Sequence, residues 1–404
     1  MRILVVSQYY YPEQFRINDI CECLVKRGHS VTVLTGLPNY PEGEIYPGYE
    51  DKYKETELHN GVNIIRCNVR PRHKGSFQLF RSYLSYVLAA SKRIKKLQEQ
   101  FDVVYVYQMS PVTTIYPASL IKKKENIPLY VYCCDVWPDS VRDMSEGKIM
   151  GTNNPIYIIA KWISRSLYSK ADMIGVKCNQ FSEYLRNVCS IDSKKCKLNY
   201  EHAEDSYLSI SENPKDNSCY DFMFLGNIGI SQNCDYLVKA AKLLKTDKAF
   251  KLHFVGSGSA MDSLQQYVQD SGMSDLVVFH GRHPVSEINE FYEIADCCML
   301  ILAAKTAIGL TPPAKLVGYM AASRPIIAAA EGATKDILAE ANCGLCVKPD
   351  DIQSISNAMK YAIENQDEFD NKGINGREYF KTHFTLEKHI DELEKQLSEL
   401  IGGQ

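Results

Sequence analysis

Residues 1–36 read MRILVVSQYYYPEQFRINDICECLVKRGHSVTVLTG, and their pattern decides the fold class. An apolar run at 2–6 gives way to a helical pattern over 17–27, Gly28 follows as a C-terminal cap, and a second apolar run occupies 30–35. Glycine suits the residue just past a helix because it adopts left-handed backbone without a steric penalty. A strand, a helix and a second strand in this order form the βαβ unit of a parallel sheet.

The alternation continues outward. Strands are expected at 62–66, 102–107, 128–134 and 172–176, with helices at 77–98, 113–124, 154–170 and 179–188. It breaks at 201–218, a polar, turn-prone stretch containing Asn-Pro-Lys-Asp-Asn-Ser. It then resumes with strands at 221–226, 250–256, 276–280, 297–302, 325–329 and 343–348 and helices at 233–245, 259–271, 286–294, 312–322 and 351–365. The expectation is α/β: two doubly wound, Rossmann-like parallel-sheet domains, 1–200 and 219–375, joined by the 201–218 linker. The charged stretch 368–401 predicts two more helices, and the segment 376–404 is expected to pack back on the N-terminal domain. Such sheets bind ligands outside the carboxyl ends of their strands, so two facing domains would enclose a two-substrate cleft.

Composition narrows the function. At 404 residues, 45% hydrophobic and 24% charged, the chain matches ordinary globular proteins and excludes disordered or collagen-like classes. A net charge of −3 argues against a nucleic-acid partner. The chain enters a strand directly at Arg2 without signal-peptide character, and no apolar run approaches the roughly 20 residues of a membrane span. The fourteen cysteines lie scattered through apolar stretches, which suits a reducing cytoplasm. Cys343 and Cys346 resemble half a zinc site, but no second pair follows, so they are read as core thiols and no metal is expected.

Three stretches have the chemistry of a phosphate site. Phe224-Leu225-Gly226-Asn227-Ile228-Gly229 runs from a strand into a glycine turn ahead of a helix starting near Gln232, and Gly256-Ser257-Gly258 follows the next strand. Glycines let main-chain N–H groups approach a phosphate that also faces the positive end of a helix. Thr311-Pro312-Pro313-Ala314-Lys315 predicts a helix capped by Thr311 with Pro312 at its first position, presenting free amides and the Lys315 ammonium. A tight turn and a solvated lysine are the competing readings.

In the first half, the strand through Cys133-Cys134 delivers Asp135 to its carboxyl end, with Trp137 as a sugar-stacking surface and Asp139 better placed to cap the next turn. Residues 66–96 hold nine Lys or Arg and no Asp or Glu, interleaved with Phe77, Phe80, Tyr83 and Tyr86. That pattern suits an anionic membrane surface, with an RNA patch or a solvated helix face as alternatives. Phosphate-loop, His-Glu-x-x-His, Gly-x-Ser-x-Gly and Asp-x-Asp motifs are absent from the sequence.

Together with Ser7 to Glu13, Phe15 to Asp19, Leu24 to His29 and Thr35 to Pro41, these stretches resemble glycosyltransferase family 4, within it the WbuB-like branch of bacterial surface-polysaccharide enzymes. The resemblance implies a GT-B fold and a metal-independent, retaining transfer of an N-acetylated or deoxy hexose. The donor would be a UDP-sugar and the acceptor a lipid-diphosphate-linked saccharide of capsule, O-antigen or exopolysaccharide synthesis. It implies no cofactor beyond the nucleotide-sugar co-substrate, and a cytoplasmic enzyme peripheral on the inner face of the cell membrane. It places Gly226, Asn227, Gly229, Gln232 and Lys315 around the donor diphosphate and Gly256 and Gly258 at its nucleoside end. Arg16, Asn18 and Trp137 fall on the acceptor side, with Asp135 as the catalytic residue. The chain departs from the family where Asn227 and Gln232 replace an Arg and a Lys. The paired glutamates fall at Leu310 and Gly318, leaving Glu331 as a substitute, and Cys134 stands where a histidine often precedes the aspartate. A UDP-sugar 2-epimerase and a non-catalytic nucleotide-sugar-binding subunit are the alternatives.

Overall fold

The computed structural model describes residues 1–50, 56–73, 75–140, 151–203, 205–212, 218–229, 232–302 and 312–403. They divide into two compact units, Met1–Tyr200 with His389–Gln404, and Glu201–Lys388. The polar stretch after residue 200 therefore belongs to the second unit, and the end of the chain to the first.

In the first unit the chain runs β1 (Arg2–Val6), α1 (Arg16–Lys26), β2 (Ser30–Gly36), β3 (Thr56–His59), β4 (Val62–Cys67), α2 (Ser76–Lys96) and β5 (Val103–Gln108). It continues through α3 (Ile115–Glu125), β6 (Leu129–Cys133), α4 (Pro155–Tyr168), β7 (Met173–Val176), α5 (Asn179–Cys189) and β8 (Cys196–Leu198). The strands order as β3-β4-β2-β1-β5-β6-β7-β8, with β3 antiparallel to β4 and the other pairs parallel. β5 and β6 are buried at every position, as expected of strands covered by helices on both faces.

The second unit holds β9 (Tyr220–Leu225), α6 (Asp235–Leu243), β10 (Phe250–Val255), α7 (Met261–Asp270), β11 (Val277–Gly281), α8 (Ile288–Ile294) and β12 (Cys297–Ile301). Then come α9 (Ala314–Ala321), β13 (Ile326–Ala329), α10 (Gly332–Ala341), β14 (Gly344–Val347), α11 (Ile352–Glu364) and α12 (Gln366–His383). Its strand order, β11-β10-β9-β12-β13-β14, is wholly parallel. Each sheet reverses winding direction once, between β1 and β5 and between β9 and β12, and ligands bind at the carboxyl ends beside such a reversal.

The expected strands all form. The short strands β3 and β8 and the helix α10 were not expected from the pattern. β3 alternates exposed and half-buried residues as an edge strand does, and Gly332 opens α10 with a positive φ of 61°. One helix start needs correcting: α9 begins at Ala314 with Pro313 as its N-cap, so Pro312 lies ahead of the helix. Thr311 and Leu310 lie outside the described residues. The final helix, α13 (Leu386–Gly402), crosses the boundary between the units and is tied to the first by side chains. Gln396 accepts from the Tyr130 hydroxyl at 2.7 Å, and Arg27 reaches Asp391 at 2.7 Å and Glu394 at 2.8 Å. Gly175 on β7 leaves room for this arrangement, since a Cβ there would stand 2.0 Å from the Tyr130 hydroxyl. All fourteen cysteines are free thiols.

Candidate active-site residues

In the second unit the glycine turns are required by main-chain packing. Gly256 sits at φ 144°, and a Cβ there would lie 1.9 Å from the Gly226 carbonyl oxygen. Gly226 N–H donates to Val255 O at 2.8 Å, Ile228 N–H to Ser257 O at 3.0 Å, and Ala260 N–H to Ile228 O at 3.0 Å. The turn after β9 is thus laced directly to the turn after β10. A Cβ on Gly258 would meet the Asn227 side chain at 2.6 Å, and one on Gly229 would meet it at 2.8 Å, so Asn227 fills the space those glycines leave.

Lys315, in the first turn of α9, reaches the same place. Its Cε lies 3.3 Å from where a Gly226 Cβ would be, and its Nζ stands 3.9 Å from the centroid of the Phe224 ring and donates to Gln232 Oε1 at 3.5 Å. The lysine is half-buried, and desolvation pulls its ammonium down to about 8. Among the described residues no side chain caps α9 or α6. Gly226, Asn227, Gly229, Gln232, Gly256, Gly258 and Lys315 therefore form one cluster. Glu331 stands exposed at the carboxyl end of β13, two strands from β9 in the sheet order. Gly318 is closed off: a Cβ there would already lie 3.0 Å from the Tyr292 hydroxyl and 3.5 Å from the Tyr207 ring.

In the first unit Asp135 follows β6 with both carboxylate oxygens occupied. Ser110, after β5, donates to Oδ2 in a short bond, and Ser140 donates to Oδ1 at 2.5 Å. Trp137 turns its indole N–H onto Ser110 Oγ at 2.9 Å. Asp139 is structural, buried and held by the hydroxyls of Tyr184 and Tyr157. Tyr83 on α2 lies within electrostatic reach of Arg72, Asp135 and Tyr40, and burial pushes its phenol up to about 12. Arg72 in turn lies over the Tyr40 ring at 5.4 Å.

Arg16 opens α1 and is half-buried. Asn18 faces inward, its amide donating to Glu13 O at 2.7 Å, which staples the loop after β1. Glu13, not expected to matter beyond its place in the quoted run, is buried and accepts from Asn39 N–H at 2.8 Å and Tyr40 N–H at 2.7 Å. Burial raises its carboxyl to about 7 against the opposing pull of those amides. Ser110, too, was missed; its position two residues past β5, beside the winding reversal, is the signal that would have found it.

The basic aromatic segment 66–96 is smaller at the surface than its composition implies. Arg66 is buried on β4, paired with Glu57 at 2.7 Å and donating to Tyr11 O at 2.9 Å. Tyr86 is fully buried with its hydroxyl on Leu34 O at 3.0 Å, and Tyr83 is also buried. Phe77 and Phe80 are exposed, and Lys74 lies outside the described residues.

Two family models match consecutive parts of the chain, the glycosyl transferase 4-like domain over residues 14–197 and glycosyl transferases group 1 over 208–379. The chain belongs to glycosyltransferase family 4. This transferase is 23% identical to WcaI of Escherichia coli, named for colanic acid biosynthesis, over 90% of its own length and 92% of that protein's. Its fold matches sucrose-phosphate synthase from Thermosynechococcus elongatus at a TM-score of 0.77 and 16% identity, with each chain covered completely. It also matches Anabaena HepE, solved in complex with UDP, at a TM-score of 0.73 and 14% identity over 99% of this chain and 100% of that one. The family transferase has the GT-B fold. Among the described residues, no helix is long and apolar enough to cross a membrane.

Proposed function

We propose that this glycosyltransferase moves an N-acetylated or deoxy hexose, with retained configuration and without a metal, from a UDP-sugar to a lipid-diphosphate-linked saccharide in bacterial polysaccharide synthesis. The observation that carries the donor half is the cluster of laced glycine turns and Lys315. As the glycosidic bond breaks, charge collects on the leaving diphosphate. A fixed ammonium and main-chain amides stabilise it without reorganising at that moment. Lys315 Nζ beside Gln232 puts a cation next to a position where the family's lysine is replaced. The acceptor hydroxyl then attacks from the face the diphosphate leaves, forming the new C–O bond while its proton passes to the departing phosphate oxygen. Asp135 and Ser110 hold the acceptor. UDP in HepE and the polysaccharide role in the name of WcaI support this reading, as does an exposed basic, aromatic face on α2 for the inner membrane surface.

A thermal-shift panel with UDP, GDP, ADP and CMP, first without metal and then with magnesium, tests the donor half. A nucleotide at 100 times its Kd stabilises the protein by about 2.7 kcal/mol. UDP alone should do so without metal, and a panel with no responder sinks the proposal. The closed-off Gly318 favours one second reading, a binding subunit that takes UDP-sugar but shows no turnover with any lipid-linked acceptor.

A further inference from the structure

An apolar groove of about 790 Å³ lies in the first unit between α2 and α4, floored by the start of α3. Phe80 and Leu84 line one wall and Ile159 and Trp162 the other, with Pro111 and Trp137 also in the lining. Its mouth is unusually greasy for a protein surface. Among the described residues thirteen large hydrophobic side chains are exposed, and nine of them, including Phe77 at 69% and Trp162 at 70%, belong to α2, α3 and α4. A contiguous apolar patch marks a binding surface, whereas scattered ones need no explanation.

Two further observations say what fills it. Both flanking helices are cationic without any acid: α2 carries Arg81, Lys92, Arg93, Lys95 and Lys96, and α4 carries Lys161 and Arg165. The groove lining adds Lys170 to these cations, and an apolar peptide or a second copy of this chain has no use for two cationic flanking helices, while a phosphate-bearing lipid does. The lining, moreover, reaches the polar acceptor cluster. Trp137 lines the groove and donates to Ser110, which donates to Asp135, and Tyr83 lines it too. A chain lying in the groove would bring its polar head to those groups.

The structure assigns this groove to the hydrocarbon tail of the lipid-diphosphate acceptor, whose first carbons thread between α2 and α4. The assignment rests on the lipid-linked acceptor proposed above and adds a tail-binding site to it. Binding energy taken from the tail, remote from the reacting hydroxyl, is then available to hold the saccharide in place.

The chain's two tryptophans, Trp137 and Trp162, both line the groove, so their fluorescence reports its occupancy. The full-length protein would be titrated with geranylgeranyl diphosphate below its micelle concentration, with inorganic diphosphate, and with phosphatidylglycerol vesicles. Geranylgeranyl diphosphate should give a saturable blue shift, and inorganic diphosphate none. Ile159→Glu, at an exposed position, should weaken isoprenyl binding at least tenfold. Leu88→Glu, exposed on α2 outside the groove lining, should weaken vesicle binding and leave isoprenyl binding unchanged. Circular dichroism and an unchanged thermal unfolding transition show that both variants remain folded. Vesicle binding with no response to the isoprenyl diphosphate overturns the assignment and leaves a bilayer-docking face only. Concentration-dependent dimerisation abolished by Ile159→Glu overturns it in favour of a self-association surface. If the isoprenyl response holds but no sugar is transferred to any lipid diphosphate, the groove stands and the transferase reading falls.

Discussion

The two units build their sites from different materials. In the second, the candidate donor site is main chain: glycine turns after β9 and β10 lie so close that a single Cβ would collide with a carbonyl, and one lysine supplies the charge. In the first, it is a side-chain network, Asp135 with Ser110, Ser140 and Trp137, set against an apolar groove. A main-chain site tolerates little substitution and suits a feature that many donors would share, such as a diphosphate. A side-chain network can be rewritten residue by residue, which suits the partner that varies.

If the contrast is real, the largest effect falls on the second unit's backbone. Gly256→Ala places a methyl 1.9 Å from the Gly226 carbonyl oxygen at a φ of 144°, and should cost about 4 kcal/mol in urea unfolding. A loss below 1 kcal/mol would mean the turns are not held together as described.

Next is Glu13, a buried carboxyl in the first unit's loop after β1. Its folded value near 7 lies above the ordinary 4.5, so the fold favours the protonated acid. Its contribution is fully present below about 4.5 and is lost as pH rises through 7, a span worth about 3 kcal/mol. Glu13→Gln, which keeps an oxygen for the Asn39 and Tyr40 amides, should flatten the pH dependence of Tm between 5 and 8. An unchanged slope would assign the dependence elsewhere.

Asp135→Asn tests the network itself. If donor binding belongs to the other unit, as proposed, it should lower kcat about 100-fold while leaving the UDP thermal shift intact. A parallel loss of UDP binding would erase the division of labour.

Lys315→Ala gives the smallest expected effect, about 20-fold in UDP affinity, typical of one hydrogen bond to a charged group. Because its ammonium titrates near 8 in the free protein, UDP affinity should fall as pH rises above 8. Lys315→Arg should remove that fall, since a guanidinium stays charged. Isothermal titration across pH 7–9.5 reads both.

The contrast also explains what the sequence made legible. Apolar runs separated by helical patterns placed the main strands, and the glycines and Lys315 of the second unit stood out because each residue type has few reasons to be where it is. The side-chain network was half visible. Asp135 follows one strand, but Ser110, 25 residues away, follows its neighbour, and only the parallel pairing of β5 with β6 brings them together. Glu13 and Asn39 meet for the same reason, through β1 and β2. The groove was hidden more deeply. Periodicity marked both α2 and α4 as helices, but nothing local distinguishes the Tyr86 that turns into the core from the Phe77 and Trp162 that stay outside.

The tie between α13 and the first unit bears on how the protein is made. The second unit is continuous, Glu201–Lys388, while the first is interrupted by it and closes only with His389–Gln404. During synthesis the first unit must wait for α13 before Gln396 can meet Tyr130 and Asp391 can meet Arg27. The second unit emerges whole while the first is still unfinished.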